Sequence, residues 1–133
     1  MMVVIQSSEL PSTKTELKVI EQHVSSDMLI KVGVSGRLTE VEGVASLLPS
    51  SSIVHFACHG LHDRSKPLDS GLKLDDGILR ISRIMKETIT NKSLAFLCAC
   101  ETGMGDENLP DEAMSLGTSL LFSGFHRVIA TMW

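Results

Sequence analysis

Three stretches of the chain are apolar at consecutive rather than alternate positions: Ile53-Val54-His55-Phe56-Ala57-Cys58, Leu94-Ala95-Phe96-Leu97-Cys98-Ala99-Cys100 and Val128-Ile129-Ala130-Thr131-Met132-Trp133. A strand that is apolar on both faces must be covered on both, so these runs predict central strands of a parallel sheet enclosed by helices. Two weaker runs, Met2-Val3-Val4-Ile5 and Met28-Leu29-Ile30-Lys31-Val32, predict additional strands.

Helical spacing fills the intervals. Thr13 and Glu16 have capping-box spacing ahead of Leu17, Ile20 and Val24 on one face. Thr39 and Glu42 repeat it before Val41, Val44, Ala45 and Leu48, and Pro49 stops that segment. A further helix is expected from Asn108 as cap and Pro110 in the first turn, with Ala113, Leu116, Leu120 and Leu121 on one stripe and Gly124 at its end. Between the second and third apolar runs, Leu72-Lys73-Leu74, the turn Asp75-Asp76-Gly77 and Ile78-Leu79-Arg80 predict a β-hairpin, with a short helix from Ser82 to Glu87. Strands alternating with helices in this order define an α/β fold with a mostly parallel sheet.

At 133 residues the chain holds one domain, residues 1–133. Its 43% hydrophobic and 21% charged residues are those of a folding globular chain. With a net charge of −4 and no basic stripe interleaved with aromatics, nucleic acid is not an expected partner. No apolar run is long enough to span a membrane, and the N-terminus lacks a basic segment and a cleavage site. Cys58, Cys98 and Cys100 are odd in number and form no CxxC pair, which argues against a disulfide framework and fits a reducing, cytoplasmic setting.

Chemistry in open α/β sheets gathers beyond the carboxyl ends of the strands. Two such ends are loaded here, His55-Phe56-Ala57-Cys58-His59-Gly60 and Cys98-Ala99-Cys100-Glu101-Thr102-Gly103. If those strands are neighbours and parallel, His59 and Cys100 face each other as a thiol and an imidazole suited to acyl transfer. The amide of Gly60, unobstructed by a side chain, can join that of Cys100 in an oxyanion hole. Cys58 is one position out of phase with His59 and is assigned to the core, and Cys98 to the core or its flank. His55 shares the parity of His59 but lies deeper, as a structural histidine, and His62 is placed on a surface loop. Glu101, Asp69 and Ser70 are candidates for the active-site rim, although Asx-turn chemistry accounts for the last two equally well. A zinc site drawn from His55, His59, His62, Cys98 and Cys100 fits no standard spacing, so no metal is expected.

Val-His-Phe-Ala-Cys-His-Gly at 54–60, Leu-Ala-Phe-Leu-Cys-Ala-Cys-Glu-Thr-Gly at 94–103 and Val-Ile-Ala-Thr-Met-Trp at 128–133 resemble the CHAT domain, a caspase-like family related to separase and often associated with tetratricopeptide repeats. The resemblance begins at the Leu-Pro-Ser-Thr-Lys-Thr-Glu-Leu stretch of residues 10–17. It implies a caspase-like three-layer sandwich, with Cys100 as nucleophile, His59 as catalytic histidine, and Gly60 with the Cys100 amide as oxyanion hole. The implied reaction is cysteine endopeptidase cleavage of a protein or peptide substrate through an acyl-enzyme, without metal or organic cofactor. A tetratricopeptide-repeat domain or another CHAT chain is the implied partner.

Two departures stand out. Cys98 occupies a position where the family often has Ser, which adds a second thiol. CHAT domains normally continue past the Trp at 133 and extend further at the N-terminal side, so the chain is expected to be a partial copy, incomplete at both ends. The alternative is a catalytically inactive CHAT-derived interaction module.

Overall fold

The computed structural model describes residues 1–6, 9–34, 38–63, 65–87, 94–98 and 116–130. Strand β1 (Met2–Ile5), helix α1 (Thr13–His23), β2 (Ile30–Val32), α2 (Val41–Leu47) and β3 (Ile53–Ala57) form the first half. There follow β4 (His59–Leu61), β5 (Gly71–Lys73), β6 (Ile78–Arg80), α3 (Ile81–Ile84), β7 (Leu94–Leu97), α4 (Leu116–Phe122) and β8 (Val128–Ala130). Five strands make one sheet in the order β2-β1-β3-β7-β8, every pairing parallel. Strands β4, β5 and β6 form a separate antiparallel sheet. The expected α/β sandwich with a mostly parallel central sheet is therefore present, and the hairpin lies where the sequence predicts it.

The alternation of side chains along a strand sorts the sheet into two cores. Met2 and Val4 of β1, Val54 and Phe56 of β3, and Ala95 and Leu97 of β7 face one layer, where they meet Val44 and Ala45 of α2, Ile81 and Ile84 of α3, Leu116 and Leu120 of α4, and Leu72 and Leu79 of the small sheet. Val3, Ile5 and Ala57 face the other layer, against Leu17 and Ile20 of α1. Helix, sheet and helix thus make three layers.

Strand ranks differ from the expectation for the first and last strands of the chain, β1 and β8. Strand β1 is a central strand between β2 and β3 with all four residues buried, whereas among the described residues β8 is an edge strand with Ile129 half exposed. A four-residue run offers too little sequence contrast to show that both faces are covered. On α4, Leu116 and Leu120 are buried, but Leu121, expected on the same stripe, is exposed, and Gly124 at φ 106° follows the helix. Asn108, Pro110, Ala113 and Thr131–Trp133 lie outside the described residues. Helix α3 begins one residue earlier than expected, at Ile81, and ends three residues earlier, at Ile84.

Neither capping box forms. The Thr13 hydroxyl donates to the carbonyl of Leu10 at 2.7 Å, and Glu16 turns towards the sheet. At α2 the cap comes from the hairpin turn: the Val41 N–H donates to Asp76 Oδ1 at 2.8 Å and the Thr39 N–H to Asp75 Oδ2 at 2.6 Å. These carboxylates satisfy orphan amides and set negative charge at a helix N-terminus. Glu42 pairs with Arg83 of α3 instead, which holds its carboxyl below the usual carboxylate range.

Candidate functional site

The carboxyl end of β3 carries the first candidate group. Strand β3 ends at Ala57, the chain bends at Cys58, and His59 opens β4 in the small sheet. The bend breaks the strand parity that would align His59 with His55, so the two imidazoles belong to different sheets. Cys58 is fully buried among apolar side chains, as its phase suggests, and burial pushes its thiol up to about 12.

His59 is partly exposed, paired across β4 and β5 with Lys73. Its Nε2 lies 3.7 Å from Glu9 Oε2, and Glu9 accepts two hydrogen bonds from Lys73 Nζ at 2.8 and 2.9 Å. A carboxylate therefore faces the candidate histidine, shared with a lysine cation. Gly60, half-buried, lies opposite Leu72 in the same ladder. Gln6 caps this edge, its N–H donating to the Ala57 carbonyl at 3.0 Å and its side chain buried.

The remaining candidates divide. Ser70 is buried and its Oγ accepts from the Asp63 N–H at 2.9 Å, whereas exposed Asp69 lies 3.7 Å from Arg80 Nε. His62 is in the loop after β4 and is partly exposed. Cys100 and Glu101 lie outside the described residues.

A second polar group occupies the α1 face of the large sheet. His55 and Ala57 of β3 share that face with Phe96 of β7, and Cys98, two residues beyond Phe96, keeps its parity. His55 Nε2 lies 3.0 Å from Glu16 Oε2 and its ring is 6.0 Å from that of Phe96. The ligand atoms of Glu16, His55 and Cys98 all lie within 4.8 Å of one another. They form the polar end of an open cavity of about 480 Å³ whose walls are Met1, Thr15, Val19, Ile20 and Phe96.

Burial, and then the Glu16 carboxylate beside it, push the Cys98 thiol up. A thiol held in its protonated form is the reverse of an activated nucleophile. Cys98 is thus half-buried at the flank of the core, and His55 is a histidine with a carboxylate partner.

Sequence spacing had assigned Glu16 to a helix cap, and Glu9 carried no signal at all. Each finds its histidine across tens of residues, a distance that local patterns do not encode.

The family model of the CHAT domain matches residues 2–133. A comparison with curated proteins gives no match. Because the family match runs from β1 through the last described strand and spans both segments rich in Cys and His, this protein belongs to the CHAT domain family.

Proposed function

We propose that the chain acts as a CHAT-type cysteine endopeptidase in which Cys100 attacks the peptide carbonyl and His59 moves the protons. The observation that carries this reading, beside the family match, is the register of the parallel sheet. Strands β3 and β7 are parallel neighbours, Ile53 beside Leu94 and Phe56 beside Leu97, so the segment that leads into His59 and the one that leads towards Cys100 leave the sheet side by side. Neighbouring parallel strands also send their following loops to one edge of the sheet, where such chemistry collects.

The steps follow from the residue types. The Cys100 thiolate adds to the carbonyl carbon, and the oxyanion accepts from the amides of Gly60 and Cys100. The His59 imidazolium protonates the departing amine, which leaves a thioester on Cys100. His59 then takes a proton from water, whose oxygen attacks the thioester, releasing the carboxylic product and the thiol. Glu9 Oε2, 3.7 Å from His59 Nε2, is placed to orient the ring. The substrate is a protein or peptide.

The test is cleavage of a peptide library together with mass-spectrometric capture of the acyl-enzyme. Cys100→Ala is expected to abolish both, and Cys98→Ala to leave most of the activity. The reverse result overturns the assignment.

A second reading, a catalytically silent interaction module, is favoured by the apolar surface at the sheet's edge. Phe122 is 69% exposed and Ile129 50% exposed on neighbouring α4 and β8. Edge strands with such side chains are templates for pairing with another chain. No acyl-enzyme with any peptide, combined with an ordinary Cys100 thiol, selects this reading.

A further inference from the structure

The cluster on the α1 face matches the demands of a soft divalent cation. Glu16 comes from α1, His55 from β3 and Cys98 from the end of β7, so three separate elements converge on one point. Carboxylate, imidazole and thiolate are the three ligand types that zinc accepts, and together they select against magnesium or calcium, which take oxygen alone.

The distances agree with this set. Tetrahedral zinc with bonds of about 2.0–2.3 Å holds its ligand atoms roughly 3.5 Å apart. Here the carboxylate and imidazole atoms are already 3.0 Å apart and no pair among the three exceeds 4.8 Å. Side-chain rotation of about 1 Å closes the shell without moving the sheet, because Glu16 projects from a helix surface and Cys98 follows the last residue of its strand.

The rigidity is asymmetric in a useful way. His55 is 8% exposed and held against Phe96, which fixes one ligand, whereas Glu16 and Cys98 are half-buried and adjust around it. The cavity of about 480 Å³ opens on the same point, leaving room for a fourth ligand from solvent or a small molecule.

We propose that Glu16, His55 and Cys98 form a three-ligand site for a zinc-type divalent cation, with its fourth position open to the cavity beneath α1. Binding displaces the Cys98 thiol proton to solvent, and the bound cation ties α1 to β3 and β7. The site lies apart from His59 and does not depend on peptidase activity.

The experiment is titration of the tag-free, reduced full chain with Co²⁺, which reports thiolate ligation by a sulfur-to-metal charge-transfer band and tetrahedral geometry by its visible bands. A band that saturates at one Co²⁺ per chain is expected. It should disappear in Cys98→Ser and persist in Cys100→Ala and in His59→Ala. Glu16→Gln, a change on a partly exposed helix position, should weaken Co²⁺ binding by more than about tenfold with an unchanged far-ultraviolet circular dichroism spectrum. Zn²⁺ should raise the melting temperature of the wild type and not that of Glu16→Gln. A titration without a saturable band, a band that survives Cys98→Ser, or one that is lost in Cys100→Ala overturns the proposal.

Discussion

His55 Nε2 and Glu16 Oε2 meet at 3.0 Å across the interface of α1 and the large sheet, although 39 positions separate them in the chain. The pair gives a buried imidazole its partner and sets a carboxylate beside the Cys98 thiol. Replacing that carboxylate by an amide removes its share of the upward push on the thiol and leaves the effect of burial. Glu16→Gln is therefore expected to speed alkylation of Cys98 at pH 8, measured by peptide-resolved mass spectrometry with a chelator present. An unchanged or slower rate contradicts the arrangement.

The hairpin turn holds α2 by its N-terminus. Asp76→Ala leaves the exposed Val41 N–H to water and is expected to cost about 1 kcal/mol. Asp75→Ala strands the partly buried Thr39 N–H and is expected to cost about 1–3 kcal/mol. Urea unfolding of the two variants checks both values and their order.

Capping is also where local reading of the sequence fails. Both Thr-x-x-Glu spacings are present, yet Glu16 is drawn to the His55 ring nitrogen and Glu42 to the Arg83 guanidinium, tertiary partners that outcompete the single amide of the cap. The parallel sheet, its helices and the hairpin were legible because their signal is apolar periodicity and turn chemistry, which act over a few residues. Strand order was less so: β1 is too short to display its burial, and apolar β8 lies at the edge. Of the candidate site, the Cys and His residues were legible by type, while Glu9 and Glu16 became visible only once the fold had brought them to a histidine.

Cys58 gives the protein an alkaline limit. Its thiol is raised to about 12 in the folded chain and returns to about 8.5 on unfolding. Above the unfolded value the unfolded chain binds fewer protons, so stability is complete below about pH 8.5 and falls as pH rises towards 12, by up to about 1.4 kcal/mol per pH unit. Unfolding midpoints at pH 8 and pH 10 should differ in the wild type and much less in Cys58→Val.

Gly33 sits at φ +82° where a Cβ would fall on the carbonyl oxygen of Ile5. Backbone strain and overlap act together there, so Gly33→Ala is expected to cost about 2 kcal/mol or more, read from thermal unfolding. Gly43→Ala, whose Cβ meets only Glu40 Cβ at 3.8 Å inside α2, is the control and should stabilise by about 0.5–1 kcal/mol.

The proposed dyad stands or falls on the state of Cys100. The decisive measurement is the pH dependence of its alkylation, in the wild type and in His59→Ala, with Cys98 and Cys58 read in the same digests. The proposed function predicts that Cys100 reacts well below the pH of about 8.5 at which a free thiol titrates, and that this advantage is lost without His59. Cys98, pushed up by burial and Glu16, and Cys58, buried in the core, should both lag behind it. A Cys100 that titrates no lower than Cys98, or that is indifferent to His59, contradicts the dyad.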